Sequence, residues 1–197
     1  MCEAPTRHTL GVGSWTTSPD IVVVMGVSGA GKSTIGRHLA ERRDVTFVEG
    51  DRLHPPANIE RMALGEPLDD DARRPWLDAI ATEIGELHQR GTDAVIACSA
   101  LRRVHRDRLR GAAPIRFVFL AATPSDLARR VDERNHEFMP PGLLADQLAT
   151  LESPAPDEDD VVEVAPRPTI EATVEAVEAA LGPPRRTGGT LDSGAPG

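Results

Sequence analysis

The sequence predicts an α/β domain in which a five-stranded parallel sheet is sandwiched between helices. Short apolar segments alternate with longer helix-like segments along the chain, which is the order expected when each strand leads into a crossover helix. A glycine-rich segment also separates the first apolar segment from the first predicted helix. With 197 residues, 40% of them hydrophobic, the chain is long enough for one domain with a sizeable core.

The predicted strands are short and apolar. Residues 21–25 are continuously apolar, as expected of a parallel strand that is buried on both faces, and residues 94–98 have the same character. The complete set of predicted strands is 21–25, 45–48, 94–98, 115–120 and 161–164.

The predicted helices fill the intervals between the strands. They cover residues 33–43, 57–64, 73–90, 101–110, 124–134, 142–151 and 168–181. The two ends of the chain have a different composition. Residues 1–19 are polar, and residues 183–197 are rich in Pro, Gly, Ser and Thr. We therefore expect both ends to be disordered extensions of a domain that spans residues 20–182.

Composition restricts the class of function. The formal charge is −9, the isoelectric point is about 5.1 and only 3% of residues are aromatic, which argues against a nucleic-acid partner. No apolar stretch approaches the roughly 20 residues of a membrane span, and no apolar core of a signal peptide is seen. Cys2 and Cys98 are poorly placed to pair. We expect a cytoplasmic protein without a membrane partner.

Residues 26–33 match the pattern G-x-x-x-x-G-K-[ST] of the phosphate-binding P-loop. Its glycines permit positive φ, so that backbone N–H groups can surround phosphate oxygens at the start of a helix. Lys32 is the only lysine among 22 basic residues and would contact the β and γ phosphates. A flexible glycine turn is the alternative, which the flanking strand and helix disfavour. The predicted nucleotide-binding residues are Gly26, Val27, Ser28, Gly29, Ala30, Gly31, Lys32, Ser33 and Thr34.

Two carboxylates follow the second predicted strand. If the chain stays extended, Glu49 and Asp51 point to the same side. Phosphoryl transfer needs one group that orients or deprotonates the attacking hydroxyl, for which we choose Asp51, and others that hold Mg²⁺. The third strand ends in Ser99, so the predicted magnesium ligands are Ser33, Glu49 and Asp51. The alternative is that Asp51 only caps the following turn.

Arginines form two further candidate sites. Arg130 and Arg134 share one helix face and, with Arg129, could be carried onto ATP by a mobile lid of residues 129–141. The alternative is a solvated face whose arginines pair with Asp126 and Asp132.

Arg73 and Arg74 precede Pro75 and could bind a substrate carboxylate with two parallel N–H donors. Equally, they could pair with the aspartates at 69–71, and spacing alone does not decide.

Other polar residues carry weaker signals. His54 lies three residues beyond Asp51 and could reach the substrate, whereas no histidine pair has the spacing of a zinc site. The remaining histidines considered, His8, His38, His88 and His105, are expected at the surface. The acidic stretch at residues 157–160 is expected to be a solvated loop.

These residues also carry a resemblance to a known family. The chain from residue 22 to about 181 resembles gluconate kinase (gluconokinase), a relative of shikimate and adenylate kinases. The matching phrases run from Met25 to Ser33, Gly50 to Pro55, Gly65 to Leu68, Pro75 to Leu77, Cys98 to Leu101, Phe138 to Pro140 and Thr150 to Glu152, with Gln147 between the last two.

The resemblance implies ATP- and Mg²⁺-dependent phosphorylation of D-gluconate at its 6-hydroxyl. Lys32, Asp51, Arg130 and Arg134 would then be catalytic. The substrate would contact Asp51, His54, Arg73 and Ser99. Residues 164–168 would lie beside the adenine, and relatives suggest a homodimer.

The chain departs from the family pattern at two places. It has Glu49 where relatives commonly have aspartate, and His136 and Glu137 where they have glycine and histidine. One alternative is therefore a P-loop kinase for another small hydroxy acid, such as shikimate, or for a nucleotide. The other is an ATP-binding protein whose chemistry has weakened.

Overall fold

Five parallel strands form one sheet in the order β2-β3-β1-β4-β5 in the computed structural model of this chain. The structure describes residues 18–123, 126–127 and 141–183, and the side chains of residues 141–143 are not included. The strands are β1 (Ile21–Met25), β2 (Thr46–Glu49), β3 (Ala94–Ala97), β4 (Arg116–Leu120) and β5 (Val161–Val164). The helices are α1 (Lys32–Arg43), α2 (Pro56–Ala63), α3 (Asp70–Gln89), α4 (Arg103–Arg110), α5 (Pro141–Thr150) and α6 (Ile170–Leu181), and a 3₁₀ turn spans Gly50–Leu53.

Strand β1 lies in the middle of the sheet and is buried along its whole length. Val23 lies opposite Ile96 of β3 on one side and Phe117 of β4 on the other. Successive side chains of a strand point to opposite faces, so β1 contributes to two cores. One core packs against α3, and the other packs against α1 and α6. The predicted parallel sheet sandwiched by helices is thus confirmed.

The predicted strands agree with the structure to within one residue at each end. The helix boundaries differ more. Helix α3 begins three residues earlier than predicted because Asp69 caps it, accepting a hydrogen bond from the Ala72 N–H at 2.8 Å. Helix α4 begins two residues later than predicted, since Arg102 is still extended. Most of the predicted helix at 124–134 and nearly all of the two predicted terminal extensions lie outside the described residues.

The expectation of a solvated acidic loop at residues 157–160 is wrong for Glu158, although Asp157 and Asp159 are exposed. Glu158 is buried, and both of its carboxylate oxygens accept hydrogen bonds at 2.7 Å from the equally buried Arg106 of α4. Arg110 also donates to Glu158 at 2.8 Å. Composition suggested a solvated loop because acidic runs usually remain exposed, but a buried guanidinium reverses that preference. These pairs fasten the segment before β5 to α4.

All five arginines within the described residues of α4 and its N-cap have a carboxylate partner. Besides Arg106 and Arg110, the pairs are Arg102 with Asp70 and Glu152, Arg103 with Asp157, and Arg108 with Asp78. The expectation that His105 lies at the surface is also wrong. Its ring is buried and its Nε2 lies 3.2 Å from Asp70 Oδ1. The positive charges of the α4 arginines are therefore balanced by neighbouring carboxylates.

The parallel arrangement brings the carboxyl ends of β1, β2 and β3 to one edge of the sheet. The Gly26 N–H at the end of β1 donates to the Ser99 carbonyl beyond β3 at 3.2 Å. Polar residues that follow neighbouring parallel strands therefore meet there, as in other open α/β sheets. None of the helices in the described ranges is long and apolar enough to cross a membrane.

Candidate active site

The glycine-rich loop has the backbone geometry that its sequence predicts. Its glycines at 26, 29 and 31 have φ values of +139°, +78° and +100°, a region that L side chains rarely occupy. Helix α1 begins at Lys32, directly after Gly31, so the unpaired N–H groups of its first turn face the loop. The loop and the helix start together form a site for phosphate oxygens.

Lys32 lies folded against this loop. Its Nζ donates to the Val27 carbonyl at 3.1 Å. Burial lowers the pKa of the Lys32 ammonium, while the nearby carboxylates of Asp51 and Glu49 act in the opposite direction. The P-loop lysine and both predicted carboxylates are therefore close enough to interact electrostatically.

Glu49 and Asp51 are brought near Lys32 by a backbone conformation that the sequence did not predict. The chain does not stay extended after β2, because the 3₁₀ turn begins at Gly50. A Cβ on Gly50 would lie 2.3 Å from the Ala97 carbonyl oxygen, so only glycine permits this close approach to β3. Glu49 is half-buried and Asp51 is exposed. Within the described ranges the Asp51 side chain forms no hydrogen bond or ion pair, which gives no support to a capping role.

Trp76 of α3 holds this turn from the other side. Its indole N–H donates to the Gly50 carbonyl at 2.8 Å, and its ring stacks on His54 with centroids 4.3 Å apart. Asn58 donates to the Ala72 carbonyl at 2.7 Å, and its amide also lies 3.4 Å from His54 Nδ1. Sequence reasoning missed the positioning contacts of Trp76 and Asn58, and the signal for Trp76 was its place in the family phrase from Pro75 to Leu77.

His54 is buried beside the carboxylate turn. Burial lowers its pKa to about 4; Asp51 opposes this shift and Arg73 adds to it. The imidazole is therefore neutral at pH 7 and can both donate and accept a hydrogen bond.

Arg73 and its neighbour Arg74 have different environments. Arg74 is exposed and donates to Asp71 at 2.6 Å, as the paired alternative predicts. Arg73 is buried, and its nearest carboxylates, on Asp146 and Asp70, lie 3.8 and 3.9 Å away. Its guanidinium forms no hydrogen bond with any residue in the described ranges. A buried guanidinium with unused donors is suited to bind a carboxylate in two-point geometry.

Comparison with known proteins agrees with this geometry. A family model described as an AAA domain matches residues 21–154. A gluconokinase of Gluconobacter oxydans is 47% identical over 154 residues, which are 78% of this chain and 85% of that protein. The thermoresistant gluconokinase of Escherichia coli is 40% identical over 76% of this chain and 87% of its own length. This chain belongs to the gluconokinase family.

A solved structure of a gluconokinase from Sinorhizobium meliloti extends the likeness to three dimensions. It superposes with a TM-score of 0.74 at 45% identity, covering 84% of this chain and 93% of that one. The chain is therefore a P-loop kinase, and membership of the gluconokinase family implies that it uses ATP.

The remaining predicted residues fall into two groups. Ser99 follows β3 and its carbonyl binds the Gly26 N–H, so its backbone lies at the P-loop. The next residue, Ala100, has φ of 40°, and its carbonyl lies 3.5 Å from the buried Arg106 Nη1. Arg130 and Arg134, with most of the predicted lid at 129–141 and the changed His136 and Glu137, lie outside the described residues.

The oxygen donors at this edge suit magnesium. Within the described ranges no group of three or more His, Cys, Asp and Glu residues could hold a metal ion. Mg²⁺ in phosphoryl-transfer sites is commonly bound through one or two carboxylates together with substrate phosphates and water. Ser33 in the first turn of α1 and the carboxylates of Glu49 and Asp51 provide donors of this kind.

Proposed function

We propose that this protein transfers the γ-phosphoryl group of ATP to the 6-hydroxyl of D-gluconate, giving 6-phospho-D-gluconate and ADP. The hydroxyl oxygen forms the new bond to phosphorus as the bond to the β,γ-bridging oxygen breaks, in one in-line step. Asp51 orients the hydroxyl and accepts its proton. Support comes from the family and from the electrostatic interaction of Asp51 with Lys32 of the P-loop.

The other roles follow from charge and position. Residues 26–34 bind the ATP phosphates, with Lys32 balancing charge on the transferred group. Mg²⁺, when bound with ATP by Ser33, Glu49 and Asp51, would neutralise charge on the phosphate oxygens. Ser99 and the neutral His54 contact the substrate. Arg130 and Arg134 of the lid stabilise the developing negative charge, a role that rests on the sequence.

The observation that carries the choice of an acid substrate is Arg73. Its guanidinium is buried, its charge helps to lower the pKa of His54, and the carboxylates on Asp146 and Asp70 are too distant for hydrogen bonds. A substrate carboxylate would supply two parallel acceptors to donors that are otherwise desolvated. This arrangement favours a sugar acid over a neutral sugar.

The adjacent arginines provide a matched test. A coupled assay for 6-phosphogluconate should show ATP-dependent turnover of gluconate, and turnover of shikimate and nucleoside monophosphates should be much slower. Arg73→Lys should raise KM for gluconate roughly tenfold or more, because lysine cannot reproduce the two-point contact. Arg74→Lys should behave as the unmodified protein. Equal effects of the two substitutions, or preference for another acceptor, would contradict the assignment.

We further propose that the kinase domain spans residues 20–182 and acts in the cytoplasm as a homodimer on small molecules. The resemblance to gluconokinases supports the dimer. The paired arginines of α4 support the absence of a nucleic-acid partner. Sedimentation equilibrium should give about twice the monomer mass of 21.1 kDa, and a monomer at all concentrations would contradict the dimer.

A further inference from the structure

A glutamine of α5 contacts the phosphate-binding loop from a distant part of the chain. The backbone N–H of Ser28 donates to Gln147 Oε1 at 2.7 Å, although the two residues are 119 positions apart. Ser28 is the third residue of the P-loop. The family resemblance includes Gln147 but gives it no role, so its contact with the loop calls for a physical explanation.

The contact determines which way the amide of Gln147 points. A backbone N–H can only donate, so the oxygen of the side-chain amide must face Ser28. The amide nitrogen, Nε2, therefore points elsewhere with its two N–H donors. It has no hydrogen-bond partner among residues 18–123, 126–127 and 141–183. Gln147 is only partly buried, so the residues in these ranges leave its donors available to a ligand at the loop.

Asp146, the residue before Gln147, lies close to Arg73, the arginine proposed to bind the substrate carboxylate. Asp146 Oδ2 lies 3.8 Å from Arg73 Nη2, and the Cα atoms of adjacent residues are about 3.8 Å apart. One turn of α5 thus contacts both the P-loop, through Gln147, and Arg73, through Asp146. A sugar acid with its carboxylate on Arg73 and its far hydroxyl at the γ-phosphoryl group would span from Arg73 to the P-loop, and this turn of α5 contacts both ends of that span.

We propose that Gln147 is a specificity-determining residue that recognises the hydroxylated chain of the substrate. Its Oε1 remains on the Ser28 N–H while its Nε2 donates to a substrate hydroxyl between the carboxylate and the reacting end. This inference rests on the proposed function. It predicts a preference for polyhydroxylated acids over acids that lack the contacted hydroxyl, since a site built to bond a hydroxyl discriminates strongly against its absence.

Two substitutions of Gln147 distinguish recognition of the substrate from support of the P-loop. Gln147→Leu removes both contacts and should raise KM for gluconate roughly tenfold, with a smaller change in KM for ATP. Gln147→Glu keeps an acceptor for Ser28 but loses the donors. It should lose activity at neutral pH and recover part of it, relative to the unmodified protein, as pH falls toward 5 and the carboxyl regains an O–H donor. Gln89→Glu, at the exposed end of α3, is the matched control and should change nothing.

Deoxygluconates, each lacking one hydroxyl, provide the decisive comparison. For the unmodified protein, kcat/KM should fall for the analogue that lacks the contacted hydroxyl. In Gln147→Leu, the value of kcat/KM for gluconate divided by that for the same analogue should approach one. The comparison is a double-mutant cycle between protein and ligand. Melting temperatures should show that each variant is folded.

Two results would overturn the proposal. If Gln147→Leu keeps the same discrimination against every analogue and raises mainly KM for ATP, the glutamine only supports the P-loop. If the unmodified protein does not phosphorylate gluconate at all, the proposed function is wrong and this inference is wrong with it. The first result leaves the proposed function intact, so the two failures are distinguishable.

Discussion

The imidazole of His54 lies flat against the indole of Trp76, with ring centroids 4.3 Å apart and planes inclined by 9°. The same indole donates its N–H to the Gly50 carbonyl at 2.8 Å. One buried aromatic side chain thus positions both the carboxylate turn and the histidine that follows it. This packing also makes stability sensitive to pH.

We expect His54 to make the fold less stable in mild acid. Its pKa is lowered to about 4 in the folded protein, whereas the unfolded chain takes up the proton near the ordinary value of about 6.5. Between these values the unfolded state binds more protons, so stability rises with pH in this window and is lost as pH falls. His54→Phe keeps an aromatic ring against Trp76 but cannot take up a proton. In urea unfolding near pH 5, the slope of its unfolding free energy against pH should be smaller than that of the unmodified protein, by the equivalent of up to about one bound proton. Equal slopes in the two proteins would contradict this assignment.

Lys32 should be the only side chain that amine-reactive reagents acylate. It is the only lysine, and burial lowers its pKa, which raises its unprotonated fraction. Acylation at mildly alkaline pH should inactivate the enzyme in proportion to modification at Lys32, measured by mass spectrometry, and MgATP should protect it. Lys32→Ala should be inactive with little change in melting temperature. Full activity after complete modification would exclude a catalytic role.

Asp51→Asn should impair the chemical step more than ATP binding. The substitution removes the proton acceptor while keeping the size of the side chain, so kcat should fall roughly a hundredfold, with a smaller change in KM for ATP. Asp159→Asn, an exposed residue shortly before β5, is the matched control and should leave kcat unchanged. Normal turnover by Asp51→Asn would show that another group orients the hydroxyl.

Glu158 should be a major contributor to stability despite its place in an acidic stretch. Its hydrogen bonds from Arg106 hold its pKa well below the ordinary range. Glu158→Gln leaves the buried Arg106 without its charged partner and should lower the free energy of unfolding by about 3 kcal/mol. Asp159→Asn should change it by less than about 0.5 kcal/mol. Comparable losses in the two variants, measured by chemical denaturation, would disprove the assignment.

The Glu158–Arg106 pair makes the stability of the fold depend on pH. A carboxylate with a lowered pKa contributes stability above its unfolded value, near 4.3, and loses it as pH falls toward the folded value. This loss and that of His54 occur in successive ranges on acidification. The Glu158→Gln variant should therefore show a shallower loss of stability below pH 4 than the unmodified protein.

Much of the site was predictable because it depends on contiguous residues. The P-loop is a local pattern whose glycines need particular φ values, and the apolar segments that form the strands are equally local. Tertiary contacts decided what spacing could not. Arg73 and Arg74 are neighbours in sequence, yet the helix turns one inward and the other toward solvent.

The sequence by itself determined the fold class, the phosphate-binding loop and the family, because each is specified by residues close together in the chain. Tertiary structure alone decided that Glu158 is buried with Arg106, that Trp76 positions Gly50 and that Gln147 contacts Ser28. Each of these contacts joins residues at least 26 positions apart. Their energies depend on which groups the packed sheet and helices bury together. The spacing of residues along the chain does not show which groups these are.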